Sequence, residues 1–130
     1  MLFDFDITVP AHTPLATPTE QIMRLTRGTL TEIRVMFPPG PATLVSVTVS
    51  DRLIQLVPAN PDGYLNFDEA VVSSKLEYDL LDEPYELLAR GWSPNANYSH
   101  TITIQCNVQP IQGESWGDLM QHLMSYQGSA

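Results

Sequence analysis

Four carboxylates stand close together at Asp79, Asp82, Glu83 and Glu86. Two such groups held across a cleft could act as acid and base in the hydrolysis of a sugar linkage, because that reaction needs two carboxyls at a set separation. Asp82 and Glu83 precede Pro84, however, and Asp-Glu-Pro is equally what a solvated turn is made of. Nothing in the spacing supplies a cleft. Asn60, Asp62, Asn66, Asp68 and Glu69 place oxygen ligands of the kind calcium favours in one short stretch, but Gly63 falls too early for an EF-hand and no Glu closes the loop. His12, His100 and His122 are not in ligand spacing with one another or with a Cys. There is no Gly-x-Ser-x-Gly elbow, no phosphate-cradling loop and no dinucleotide fingerprint. Trp92, Tyr98 and Trp116 could stack on sugar rings, or could simply cap the ends of a sandwich. The residues thus predict no catalytic residue, no metal ligand and no cofactor, and a chain that folds without metal.

The elements that would have to position these groups are strands. Phe3, Phe5, Ile7 and Val9 alternate with Asp4, Asp6 and Thr8; Ile33, Val35 and Phe37 alternate with Glu32, Arg34 and Met36; Val45, Val47 and Val49 alternate with Ser46, Thr48 and Ser50. A period of two sends one set to a buried face and the other outward. Pro38-Pro39-Gly40-Pro41 breaks the pattern as a stiff turn, since proline has no amide to continue a ladder. Further strands are expected over residues 20–26, 53–57, 76–81, 85–92 and 98–108, with residues 66–75 a loop that has room for short order around Ala70 to Val72. Turn signals such as Pro61-Asp62-Gly63 recur at the spacing of an all-β sandwich. The expected fold is an antiparallel β-sandwich, jelly-roll-like, of about eight strands. It carries an N-terminal strand and Pro/Thr-rich arm (residues 1–18), a sandwich body (19–108) and a linker with a short C-terminal amphipathic helix (109–130). Ser115 and Asp118 stand in capping-box positions for that helix, and Trp116, Leu119, Met120 and Leu123 recur at helical spacing.

Composition narrows the partners. The 130 residues suit one domain, and 43% hydrophobic content can fill its core. Six basic residues against fifteen acidic ones give a net charge of −9. The cations are scattered, so neither a row of phosphates nor an anionic membrane is an expected partner. Cys106 is alone, so it forms no internal disulfide; counting by twos from Ile102 and Ile104 places it on a buried face. The first residues lack the basic and apolar regions of a secretory signal, and no stretch approaches a membrane-spanning length. The chain is expected to be made in a cytoplasm and to leave it by lysis or inside a particle.

Several segments together suggest a family: Ile7-Thr8-Val9-Pro10 before a Thr/Pro-rich arm, Arg24-Leu25-Thr26-Arg27-Gly28-Thr29-Leu30, Val35-Met36-Phe37-Pro38-Pro39-Gly40, Val57-Pro58-Ala59-Asn60-Pro61-Asp62-Gly63 and Tyr98-Ser99-His100-Thr101-Ile102-Thr103-Ile104. In pattern and size, residues 6–108 resemble the small β-sandwich proteins encoded in the head gene clusters of tailed bacteriophages. That resemblance implies a non-enzymatic virion protein, a capsid decoration or cement subunit, often trimeric, with an arm reaching a neighbour. Its partners would be itself and a major capsid or other virion protein. The tail after Val108 has no counterpart in the resemblance, which leaves a neck or tail role open. The alternative is a glycan- or receptor-binding sandwich on a virion or cell surface. On the first reading Phe3, Phe5, Ile7, Val9, Trp116, Leu119, Met120 and Leu123 are the candidate subunit contacts, and the body from Glu20 to Val108 is expected to fold without residues 1–18.

Overall fold

A computed structural model describes residues 1–128; in the C-terminal helix, the side chains at 119, 122 and 125–128 lie outside that description. The elements are β1 (Leu2–Val9), β2 (Thr19–Arg24), β3 (Gly28–Phe37), β4 (Ser46–Asp51), β5 (Ile54–Val57), β6 (Ala70–Leu80), β7 (Glu86–Trp92), β8 (His100–Gln109) and α1 (Trp116–Gly128). They form two four-stranded antiparallel sheets, ordered β1-β8-β3-β6 and β2-β7-β4-β5.

The pairing has one rule. The first strand pairs with the last, the second with the seventh, the third with the sixth and the fourth with the fifth. This is a long antiparallel ribbon rolled so that successive rungs fall in opposite sheets, with β3–β8 and β4–β7 pairings closing each sheet. The result is a jelly roll. Rolling buries the ribbon's apolar side on itself, and the core takes Ile7, Ile33, Val35, Val47, Leu87 and Ile104 from five different strands.

Every connection except β4–β5 therefore crosses between sheets. The Pro38–Pro41 break is one of these crossings and not a hairpin turn. It is held by Asp68, whose Oδ1 accepts the amides of both Gly40 and Ala42 at 2.9 Å. Those bonds secure a loop in which Gly40, Ala42 and Thr43 have φ of 123°, 50° and 64°, a region that costs L-residues energy.

Two features of the strands depart from simple alternation. In β3 the register slips between Leu30 and Glu32 against both neighbours. Opposite β8 Thr31 is the extra residue of a bulge, while opposite β6 the extra residue is in β6; the bulge lets Leu30 face the core together with Ile33, Val35 and Phe37 despite the change of parity. The Thr31 hydroxyl donates to the Asn107 carbonyl at 3.2 Å. The other feature is β6, which begins at Ala70 where a loop was expected. It is an edge strand whose inner residues are mostly half-buried, so Ser73, Ser74 and Lys75 are tolerated in its middle and blur its apolar pattern.

The N-terminal segment belongs to the sandwich. β1 pairs along its whole length with β8, and Ile7 and Val9 are 1% and 0% exposed within their own core. In this structure both side chains fill the chain's own core, where contacts with a neighbour were expected. Phe3 and Phe5 stack at 6.5 Å and pack, half-buried, against the same core. The arm is not loose either. Ser93 donates its hydroxyl to the Pro10 carbonyl at 2.7 Å and its amide to the Thr13 carbonyl at 2.9 Å, while His12 donates its amide to Ala96 at 3.0 Å. The arm closes one end of the roll on its way between sheets.

At the other terminus an Arg27–Glu114 ion pair ties the linker to the body. The capping box forms as its spacing predicts: the Ser115 amide donates to Asp118 Oδ2 at 3.1 Å, and the Asp118 amide donates to Ser115 Oγ at 3.2 Å. No strand packs along α1 among the described residues. Trp116, Met120 and Met124, four residues apart on one helical face, are all exposed, and Leu123 is half-buried. The Leu119 side chain, also a contact candidate, lies outside the described residues. No described helix is long and apolar enough to cross a membrane.

Candidate functional site

An open groove of about 1080 Å³ lies on the outer face of the β2-β7-β4-β5 sheet. Its floor is the outward side of β4, where Ser46 and Thr48 alternate with the core valines. Both are nearly buried because small hydroxyl side chains sit between larger neighbours. Register places Trp92 beside Ser46 and Arg90 beside Thr48, with Glu20 across from Arg90. Arg90 Nε reaches Glu20 Oε2 at 3.0 Å. Both side chains of this ion pair are about half exposed, so it contributes little to stability. What it does is hold two polar groups in fixed positions along one rim.

The opposite wall comes from the loop after β5. Leu65 makes a one-residue bridge with Val47, its amide and carbonyl exchanging bonds of 3.0 and 2.9 Å. The strand-like alternation this imposes turns Leu65 toward the core and leaves Tyr64 and Asn66 lining the groove. Tyr64 meets Trp92 edge to face, with centroids 5.8 Å apart and planes at 69°. Gln55 braces this wall, its Nε2 donating toward the carbonyls of Pro58, Asn60 and Gly63 at 2.7, 2.9 and 3.1 Å. The arm and the 43–44 and 94–95 turns complete the rim, adding Leu15, Leu44 and Asn95.

The groove thus combines a hydroxyl floor, two part-exposed aromatic rings, an ion pair and the polar ends of Asp62, Asn66 and Asn95. No His, Cys or Lys is among its lining residues.

The sequence candidates fall in different places. Of the four carboxylates, Asp79 and Asp82 edge a pit of about 170 Å³ beside Asp51 and Tyr78, away from the groove; Glu83 and Glu86 do not line it. Asp79 accepts the Thr29 hydroxyl at 2.7 Å, and Tyr78 donates to Asp51 Oδ2 at 2.5 Å. That hydrogen bond, with burial and the charge of Asp51 behind it, pushes the Tyr78 phenol up to about 12. The acidic stretch is divided as well: Asp62 lines the groove, while Asp68 holds the Pro38–Thr43 crossing. Among the described residues, no three His, Cys, Asp or Glu side chains are grouped to hold a metal ion.

Of the aromatic candidates, only Trp92 reaches the groove. Tyr98 is exposed elsewhere and Trp116 stands on α1. Tyr64 was missed, although its place directly after Pro61-Asp62-Gly63 marks it as a residue presented by a turn. His12 Nδ1 lies 3.3 Å from the Pro94 carbonyl, and the His122 side chain is outside the described residues. Cys106 is in the core, where burial pushes its thiol up to about 12. The sequence matches no protein-family model and no curated protein.

Proposed function

We propose that this chain is a non-enzymatic structural subunit of a virus particle, a decoration or cement subunit on the capsid of a tailed phage. It would act as a homo-oligomer, a trimer, and through contacts with a major capsid or other virion protein. The observation that carries this reading is the exposed row of Trp116, Met120 and Met124 on a capped terminal helix. Large apolar side chains repeated on one helical face are characteristic of a helix that docks on a partner. The jelly roll supports the reading by analogy only, because capsid and lectin domains share it and a fold does not dictate a function. With β1 buried in its own roll, the adhesive part of the subunit is its C-terminal end.

The test is to isolate the particle or complex that contains the full chain and map its neighbours by cross-linking and mass spectrometry. Co-sedimentation with particles is expected, with cross-links between copies and to the major capsid protein. Recovery apart from any particle, with cross-links only to proteins that are not virion components, would refute the proposal.

A further inference from the structure

We infer that the groove on the outer face of the β2-β7-β4-β5 sheet is a binding site for a neutral oligosaccharide. This does not depend on the virion reading. The shape favours a chain of sugars over a single small molecule: ligand pockets usually enclose roughly 300–1,000 Å³, whereas this site of about 1080 Å³ is an open trough.

Its chemistry matches sugar rings, which present C–H faces and a belt of hydroxyls. Tyr64 and Trp92 supply apolar ring surface, and their edge-to-face contact fixes both rings before any ligand arrives. Pre-set aromatics avoid the ordering cost that flexible side chains carry. Around them stand groups able to donate and accept at adjacent hydroxyls: the carboxylate of Asp62, the amides of Asn66 and Asn95, and the Arg90–Glu20 pair.

Other ligands fit less well. A phosphorylated or sulfated ligand would meet one arginine already paired, two carboxylates at the rim, and a chain of net charge −9. A peptide adding as a strand needs open backbone groups, but the floor strand β4 lies between β5 and β7 and its ladder is already paired on both sides. A proline-rich peptide could use the aromatics but would leave the hydroxyl floor and acidic rim without hydrogen-bonding partners.

The experiment uses the full purified chain on an array of neutral and acidic oligosaccharides, followed by saturation-transfer NMR and titration with the best neutral hit. A proline-rich peptide serves as a second probe. Neutral oligosaccharides of two or more rings are expected to bind. Tyr64→Ala and Asp62→Asn should each weaken binding about tenfold or more. Both positions lie on the exposed rim, so an unchanged melting temperature separates lost contact from lost fold, while Trp116→Phe should leave binding intact. The inference is overturned if no neutral saccharide binds at millimolar concentration, if acidic saccharides or the peptide bind in preference, or if both rim variants bind like the parent chain.

Discussion

Gly91→Ala offers the sharpest test of how the two sheets close. Gly91 lies in β7 and faces inward, opposite the end of β1. A Cβ added there would stand 2.5 Å from Val9 Cγ2 and 3.5 Å from Ile7 Cδ1. Carbon atoms pack best at ~3.5–4.0 Å, so the first contact is short by about an ångström. Val9 is fully buried and β-branched, which leaves it few rotamers in which to retreat. Overpacking of this kind costs ~1–3 kcal/mol. The gain from replacing a strand glycine by alanine, ~0.5–1 kcal/mol, offsets part of it. The net loss should be ~0.5–2 kcal/mol, or a fall in melting temperature of roughly 2–8 °C at this chain length. Val9→Ala by itself should cost ~2 kcal/mol through lost burial, but it also vacates the space the new methyl needs. The double variant should therefore be more stable than the sum of the singles implies, by about 1 kcal/mol. Urea unfolding followed by tryptophan fluorescence supplies all four corners of the cycle. Run at two protein concentrations, it also asks whose β1 is involved: coupling within one chain does not depend on concentration. The reasoning fails if Gly91→Ala is neutral, if the two changes add within ~0.3–0.5 kcal/mol, or if the coupling appears only at high concentration, as it would for a strand exchanged between copies.

Four further outcomes follow from the same structure. A chain starting at Thr19 should be largely unfolded by circular dichroism, because it loses Ile7 and Val9 from the core, worth ~1.5–3 kcal/mol each, and strips the partner strand from β8; a cooperative β-rich fold would contradict this. Asp68→Ala should lower stability by ~1–2 kcal/mol through two amides left without their acceptor, and Asp68→Asn, which keeps one oxygen, should recover part of the loss in a thermal melt. Tyr78 should titrate late, near 12 rather than 10. A phenol raised in the folded state contributes stability that is complete below about pH 10 and lost as pH climbs toward about 12, so Asp51→Asn should move the late phenolate absorbance step down, and an unmoved step would exclude Asp51 as its cause. Cys106 should react with a thiol-specific disulfide reagent only as fast as the protein opens, with urea accelerating it; prompt stoichiometric labelling of the native chain would mean the thiol is not in the core.

What the sequence by itself determined is local. β1, β3, β4 and β8 are legible because alternation in a strand with one buried face needs only the strand's own residues, and Cys106 falls inside by the same count. The Ser115–Asp118 cap is legible because both bonds span three residues. What the alternation could not say is which sheet a strand joins. The residues on either side of Pro38–Pro41 read as strand, turn and strand, but only the roll decides that β3 and β4 lie in opposite layers. The Thr31 bulge depends on its pairing with β8, distant along the chain, and the first half of β6 on the reduced burial of an edge, so neither leaves a clear local pattern. The first strand's loyalty was also undecided in sequence, since Phe3, Phe5, Ile7 and Val9 would be equally apolar in a neighbour's sheet; their place is set by β8, β7 and the gap above Gly91. The groove is the extreme case. Glu20, Ser46, Gln55, Tyr64 and Arg90 come from five separate segments, each unremarkable alone, and they meet only because strand pairing is fixed by contacts distant along the chain.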